Sequence, residues 1–200
     1  MRRRLIGLCF GLILLPLLGA APVSKIQSML AKPKVLCGRF DQKKQLVGLK
    51  NAVSSSGRFC VVADKGVLWR TLQPFPNTLR VTRDEIVQLR GDQVALRLDA
   101  KQEPTVRLIN TVLFALLAGD LSELEKLFEI HGSIQNNAWS ITLKAREPGL
   151  AKAVGSIALE GGAHVRRITI HEASGDRTSI DFAALETGDG AMNVDEAKLF

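Results

Sequence analysis

Short runs of alternating apolar and polar residues, each closed by a turn signal, constrain this chain more than any other feature. Between Lys34 and Leu98 they fall at Val35–Lys43, Gln45–Ala52, Ser55–Asp64, Val67–Gln73, Thr78–Arg83, Glu85–Arg90 and Gln93–Leu98. Ser54-Ser55-Ser56-Gly57, Asp64-Lys65-Gly66 and Gly91-Asp92 break the runs. A period of two half-buries a strand. Connections this short join antiparallel neighbours, because parallel strands need a crossover of a dozen residues or more. The pattern returns at Glu129–Gln135, Ala138–Arg146, Lys152–Leu159, His164–Ala173 and Arg177–Ala184, with turns at Asn136-Asn137, Gly161-Gly162 and Gly175-Asp176. The expectation is about eleven or twelve antiparallel strands, which curl into a barrel, a half-barrel or a sandwich.

Helical periodicity interrupts the strands. Val23–Ala31 is a short amphipathic helix with Ser24 as N-cap and Pro33 as its stop. Pro104 to Ala118 reads as a longer helix ended by Gly119, and Asp120–Phe128 as a second one capped by Asp120. A final helical turn is expected within Asp195–Phe200. Val112 to Ala118 is apolar on every side, so it must be buried on both faces. Two readings fit: a core helix, or a lid that fills an apolar concavity.

Met1-Arg-Arg-Arg4, the apolar run Leu5 to Leu18 and Gly19-Ala20-Ala21 form the three regions of an export signal. The run falls short of the roughly 20 apolar residues of a membrane span, although a signal anchor is the alternative. Residues 1–21 are thus expected to be removed, near Ala21, leaving 22–200 as one domain in a periplasm. Cys9 has no small-residue lipidation box before it. Without Arg2, Arg3 and Arg4, 24 basic residues face 20 acidic ones, too mild a balance for nucleic acid. With eight Phe, two Trp and no Tyr, the chain also lacks the rings of a base-stacking or sugar-stacking surface.

Nothing in the sequence assembles a reaction centre. No Gly-x-Ser-x-Gly elbow is present, and Glu172 and Asp176 sit at a turn where carboxylates are normally just solvated. His131, His164 and His171 stand apart, and no Cys-His spacing fits zinc. The expectation is a non-enzyme without a metal or cofactor. Cys37 and Cys60 remain after export, and an oxidising compartment favours one disulfide over two buried thiols.

Several ordered motifs resemble a known family. Phe40-x-Gln42, Gly57-Arg-Phe59, Leu68-Trp69, Gln73-Pro74 and Leu79 are similar to the start of LolA-like proteins, the periplasmic carriers of outer-membrane lipoproteins. Leu116-Leu-Ala-Gly-Asp-Leu121, with Leu124 and Phe128, resembles their lid-helix region. Trp139-x-Ile141-x-Leu143 and Gly175-Asp176-x-Thr178-x-Ile180-x-Phe182 resemble their late strands. The resemblance implies an unclosed antiparallel β-barrel of about 11 strands, an α+β fold with helices over the mouth and an apolar cavity for acyl chains. It also implies partners: an inner-membrane transporter that releases lipoproteins and an outer-membrane receptor. The receptor LolB shares the fold but is lipidated, so the missing lipidation box favours the carrier. The family's Arg-Pro pair before the tryptophan strand is replaced here by Asp64-Lys65-Gly66, and Lys65 lacks the fork of an arginine. That departure opens a second cargo class, a glycolipid or other non-protein lipid.

Within this frame the cavity wall is expected at Phe40, Phe59, Val61, Trp69, Leu79, Leu96, Trp139, Ile141, Ile168, Ile170 and Phe182. The lid is expected at Ile109, Val112, Leu113, Leu116 and Leu117. Ordinary core packing is the alternative for each. A β interaction module is the remaining non-carrier reading, and a monomer is the expected state.

Overall fold

The computed structural model describes residues 23–91, 93–102 and 121–200 together with Val112 and Phe114. The expected export signal, Asp92, the cap Asp120 and the lid residues Ile109, Leu113, Leu116 and Leu117 lie outside the described residues. A first helix, α1 (Val23–Met29), precedes six strands: β1 (Val35–Gln45), β2 (Val53–Val62), β3 (Gly66–Gln73), β4 (Asn77–Val81), β5 (Glu85–Arg90) and β6 (Gln93–Asp99). After α2 (Ser122–Leu127) come β7 (Phe128–Gln135), β8 (Ala138–Ala145), α3 (Pro148–Val154), β9 (Ser156–Gly161), β10 (Val165–His171) and β11 (Arg177–Thr187). A 3₁₀ turn at Asp189–Ala191 and α4 (Val194–Ala197) end the chain.

The eleven strands of the described residues form one antiparallel sheet in the order β6-β5-β4-β3-β2-β1-β11-β10-β9-β8-β7. Two meanders are therefore joined where the first strand pairs with the last. β6 and β7 are the edges and do not pair with each other, so the sheet is not closed into a barrel. The period of two is plainest in β8, where Trp139, Ile141 and Leu143 are buried while Ser140, Thr142 and Lys144 face water. The β7–β8 turn uses Asn136 and Asn137 at φ 49° and 63°, the left-handed pair that matches the twist of a two-residue hairpin.

Several elements differ from the sequence expectation, each for a local reason. Gln45–Ala52 is not a strand: β1 ends at Gln45, and Gly48 (φ 86°) opens a loop held by Gln45 Nε2 donating to Leu49 O at 2.6 Å. Ser54–Gly57 is not a break, because β2 runs straight through it. Gly57 is there because a Cβ at that position would lie 1.9 Å from Arg70 O, where a bulge shifts the β2–β3 register. Lys152–Leu159 is not a single strand. Pro148 in the first turn and Gly155 (φ 66°) at the end delimit α3 before β9 begins. β11 continues past Ala184, which takes φ 49° at an irregularity in its pairing with β1. Ser24 lies inside α1 rather than capping it, and Phe128 begins β7 rather than ending α2. Arg83 leaves the strand for the β4–β5 turn, where Thr82 Oγ1 accepts from Glu85 N at 3.2 Å.

Cys37 and Cys60 face each other across β1 and β2 and form a disulfide over a sequence separation of 23. Removing the bridge by Cys37→Ser with Cys60→Ser should lower unfolding free energy by about 3 kcal/mol, the loop-closure contribution for this separation. Urea unfolding of the two proteins measures it. Unchanged midpoints would mean that the bridge constrains little of the unfolded chain.

Candidate functional site

Register decides which side chains share a face. One row runs Gly38, Phe59, Trp69, Leu79, Gln88, Leu96 from β1 to β6. A second runs Gln42, Ile180, Ile168, Leu159, Ile141 from β1 to β8. Gly38, Phe40 and Gln42 alternate on β1, so both rows and the Phe40–Phe182 pair lie on the same, inner face. Every residue expected at the wall falls on this face.

The face has two halves. Over β7–β10, Trp139 and Ile141 pack with Leu143, Ile157 and Leu159 beneath Ile26 of α1 and Leu124 of α2. Ile168 and Ile170 flank this cluster, half-buried. Trp139 Nε1 donates to Gly162 O at 2.6 Å, which satisfies the one polar atom of the ring. Helices already cover this half, so it behaves as core.

Over β1–β5 and β11 the face is aromatic. Phe40 stacks on Trp69 with ring centroids 3.8 Å apart, and Phe59 meets Phe182 edge-on at 5.0 Å. Trp69 and Phe182 stand nearly perpendicular at 6.1 Å. Gly57 lies opposite Phe40 and Gly38 opposite Phe59, and the missing side chains leave room for the rings. Phe40, Phe59 and Val61 are buried with Val67 and Val81, whereas Trp69 and Phe182 are only partly covered. Leu79 is half-buried and joins neither cluster; Leu96 on the edge strand is 46% exposed. Towards β6, then, the apolar row passes from core to open surface.

Between β6 and α2, Val112 and Phe114 are the two described residues. Val112, helical and half-buried, packs against the cluster under α1 and α2. Phe114, helical and buried, lies beneath the Arg83 guanidinium at 4.9 Å from the ring centroid. The Arg83–Phe114 contact was not legible in the sequence, since nothing in either local pattern links a hairpin turn to a helix thirty residues on. At the opposite end of the strands, Val47, Leu49, Leu72 and Phe75 project from loop tips and strand ends into solvent, Phe75 at 79% exposure. Pro74 and Pro76 on either side of Phe75 were the visible signal for that tip.

The inner-face alternation of β1 ends at Lys44, opposite Thr178 of β11. Lys44 is raised by its hydrogen bond to Glu172 at 2.8 Å. His164 is lowered by burial and then by the charge of Arg166. Among the described residues, one cluster has metal-ligand spacing, Cys37, Cys60 and Glu196, and its two sulfurs are bonded to each other.

No curated protein is similar enough in sequence to count as a relative. A LolA superfamily protein of Nitrosomonas europaea has 7% identity and a TM-score of 0.43, covering 84% of this chain and 92% of that one. An outer membrane lipoprotein-sorting protein domain of Vibrio parahaemolyticus has 10% identity and a TM-score of 0.46, with coverage of 88% and 95%. MucB of Pseudomonas aeruginosa, solved in complex with MucA, has 16% identity and a TM-score of 0.49, with 88% of this chain on 60% of that one. The family described as outer membrane lipoprotein carrier protein LolA-like matches residues 19–198, nearly the whole sequence. The chain belongs to that LolA-like family.

Proposed function

We propose that the protein is a periplasmic carrier that holds the acyl chains of lipoproteins on the aromatic half of its inner face and moves them from the inner to the outer membrane. The observation that carries this is the row Phe59, Trp69, Leu79, Gln88, Leu96, which continues a buried aromatic cluster onto less covered surface that is apolar but for Gln88. Family membership supports the carrier role. On this reading residues 1–21 are an export signal, 22–200 a single domain, and the wall is Phe40, Phe59, Val61, Trp69, Leu79, Leu96 and Phe182. Trp139, Ile141, Ile168 and Ile170 support it from the filled half. Transfer partners are an inner-membrane transporter and an outer-membrane receptor.

Burying each CH₂ is worth about 0.8 kcal/mol, so a long chain would not leave again unless something offset the gain. On this reading Val112 and Phe114 belong to a lid that supplies the offset, because apolar surface buried under a lid must be uncovered before lipid binds. Arg83 takes the part of the missing arginine: Asp64-Lys65-Gly66 forms the β2–β3 turn, and Arg83 comes from the β4–β5 turn at the same end of the sheet. A different holding residue favours a second reading, in which the cargo is a glycolipid or another non-protein lipid.

The two tryptophans report on the two halves separately. In a Trp139→Phe protein, a brominated fatty acid should quench Trp69; in Trp69→Phe it should leave Trp139 bright. If Trp69 is not quenched at any accessible concentration, the carrier reading fails.

Arg83→Ala removes a cation–π contact worth about 1 kcal/mol, which should tighten the apparent affinity for the acyl probe about fivefold by freeing the segment. Titration at matched thermal stability reads it, and an unchanged affinity would mean that Phe114 does not gate the face. Phe75→Asp should slow delivery of bound probe to phospholipid vesicles while Trp69 quenching stays as in the parent. Equal transfer rates would remove the loop tips from the pathway.

A further inference from the structure

The outer face carries an arrangement that acyl binding does not use. Register sets Arg39 opposite Arg58 and Arg58 opposite Arg70, three like charges side by side. Such a ladder destabilises a sheet unless a counter-charge meets it. The chain's own tail brings one. Glu196 of α4 is 1% exposed, with Oε1 2.9 Å from Arg58 Nε and 3.9 Å from Arg70 Nη1. Arg58 Nη2 also donates to the carbonyl of Ala191.

The same carboxylate closes a capping box. Its Oε2 accepts from Asn193 N at 3.0 Å, while Asn193 Oδ1 accepts from Glu196 N at 2.8 Å. Arg80 Nη1 donates to Leu199 O at 3.2 Å, which fastens the last residues. Ala191, Met192, Leu199 and Phe200 pack over Val35, Cys37, Cys60 and Leu68. Glu196 Oε2 stands 3.5 Å from Cys60 Sγ, and the bridge beneath it is fully buried.

We propose that residues 188–200 are a carboxylate-keyed cover that holds the Cys37–Cys60 bridge out of thiol–disulfide exchange, so that the bridge opens only when the tail lifts. Reduction by a dithiol begins with one thiolate attacking Cys60 Sγ. A new S–S bond forms, the Cys37–Cys60 bond breaks, and Cys37 leaves as a thiolate that takes up a proton. The second thiol of the reductant, deprotonated, attacks its own sulfur in the mixed disulfide, closes a ring and releases Cys60, which is also protonated. Two electrons pass from the dithiol to the bridge. With the cover seated, Glu196 occupies the approach to Cys60 and repels an anionic nucleophile. Once the tail lifts, Arg58 and Arg70 lose their carboxylate and favour both the arriving and the departing thiolate. One movement removes the obstruction and supplies the attraction.

The experiment follows reduction of the folded protein by dithiothreitol, with alkylation of Cys37 and Cys60 read by peptide mass over time. Glu196→Ala should open the bridge at least about tenfold faster than the parent, because breaking a buried pair raises the population of the locally open state. Glu196→Gln retains the cap geometry and loses only the charge, so its rate should fall between the two. Asp195→Asn, which disturbs only the exposed pair with Lys198 at 3.2 Å, should stay within about twofold. Glu196→Ala reducing at the parent rate would overturn the proposal, as would equal acceleration by Asp195→Asn. If Glu196→Ala does not fold, Glu196→Gln decides alone, and a parent-like rate there overturns it.

Discussion

The pairing of β1 with β11 is the constraint on which the rest of the molecule rests. It joins residues more than 130 positions apart, from Leu36 opposite Thr187 to Gln45 opposite Arg177. Without it there would be two separate meanders, each with two exposed edges and a core too small to exclude water. With it, Phe40 and Phe182 become neighbours and the inner face is continuous from Trp139 to Leu96. Such long-range pairing forms only after a large loop-closure cost has been met. The disulfide lies in the very next ladder, β1 with β2, and reduces the freedom of the strand that must find that distant partner.

The inner face is covered unevenly. Over β7–β10 the helices α1 and α2 fill the space, and Trp139, Ile141 and Leu143 are as buried as any core. Over β3–β6 the strands carry a shrinking apolar row, and the edge strand β6 is exposed along most of its length. A sheet that buried its whole inner face under its own helices would be stable and unable to accept an acyl chain. Here the half over β7–β10 is closed by helices, while the aromatic half keeps a buried cluster at Phe40, Phe59, Val61, Val67 and Val81 and thins towards β6.

The strands were legible because a half-buried strand writes its burial directly as a period of two, and β3, β5, β6, β7 and β8 sit close to where that period put them. The failures have a common physical cause. Ser54–Gly57 looks like a turn because Gly is usually chosen for a left-handed conformation; Gly57 is chosen instead because Arg70 O comes too close for a Cβ. That neighbour belongs to another strand and is invisible locally. Lys152–Leu159 hid a Pro-to-Gly delimited helix whose start lay outside the run being read. Alternation along each strand also puts the residues expected at the wall on one face of the sheet. It could not separate Trp139 from Trp69, because both are aromatic residues at inward positions and only the tertiary cover distinguishes them.

The same limit explains why the outer face held the larger surprise. Arg39, Arg58 and Arg70 each read as an ordinary exposed charge on an alternating strand, and only the register shows that they form a ladder. Glu196 likewise reads as one acidic residue in a terminal helical turn. Brought together, they change what the tail is for. A helix as short as α4 has no stability of its own. It is held by a carboxylate that satisfies the arginines, its own cap and the approach to Cys60 at once. On the proposal that the tail seals the bridge, that sharing makes the seating cooperative, because losing the carboxylate would weaken all three contacts together. The inner face, by contrast, loses cover stepwise from buried Phe59 through half-buried Trp69, Leu79 and Gln88 to exposed Leu96. On the two proposals the sheet separates a ligand-facing side from a side that switches between two states, and β1 and β2 carry both.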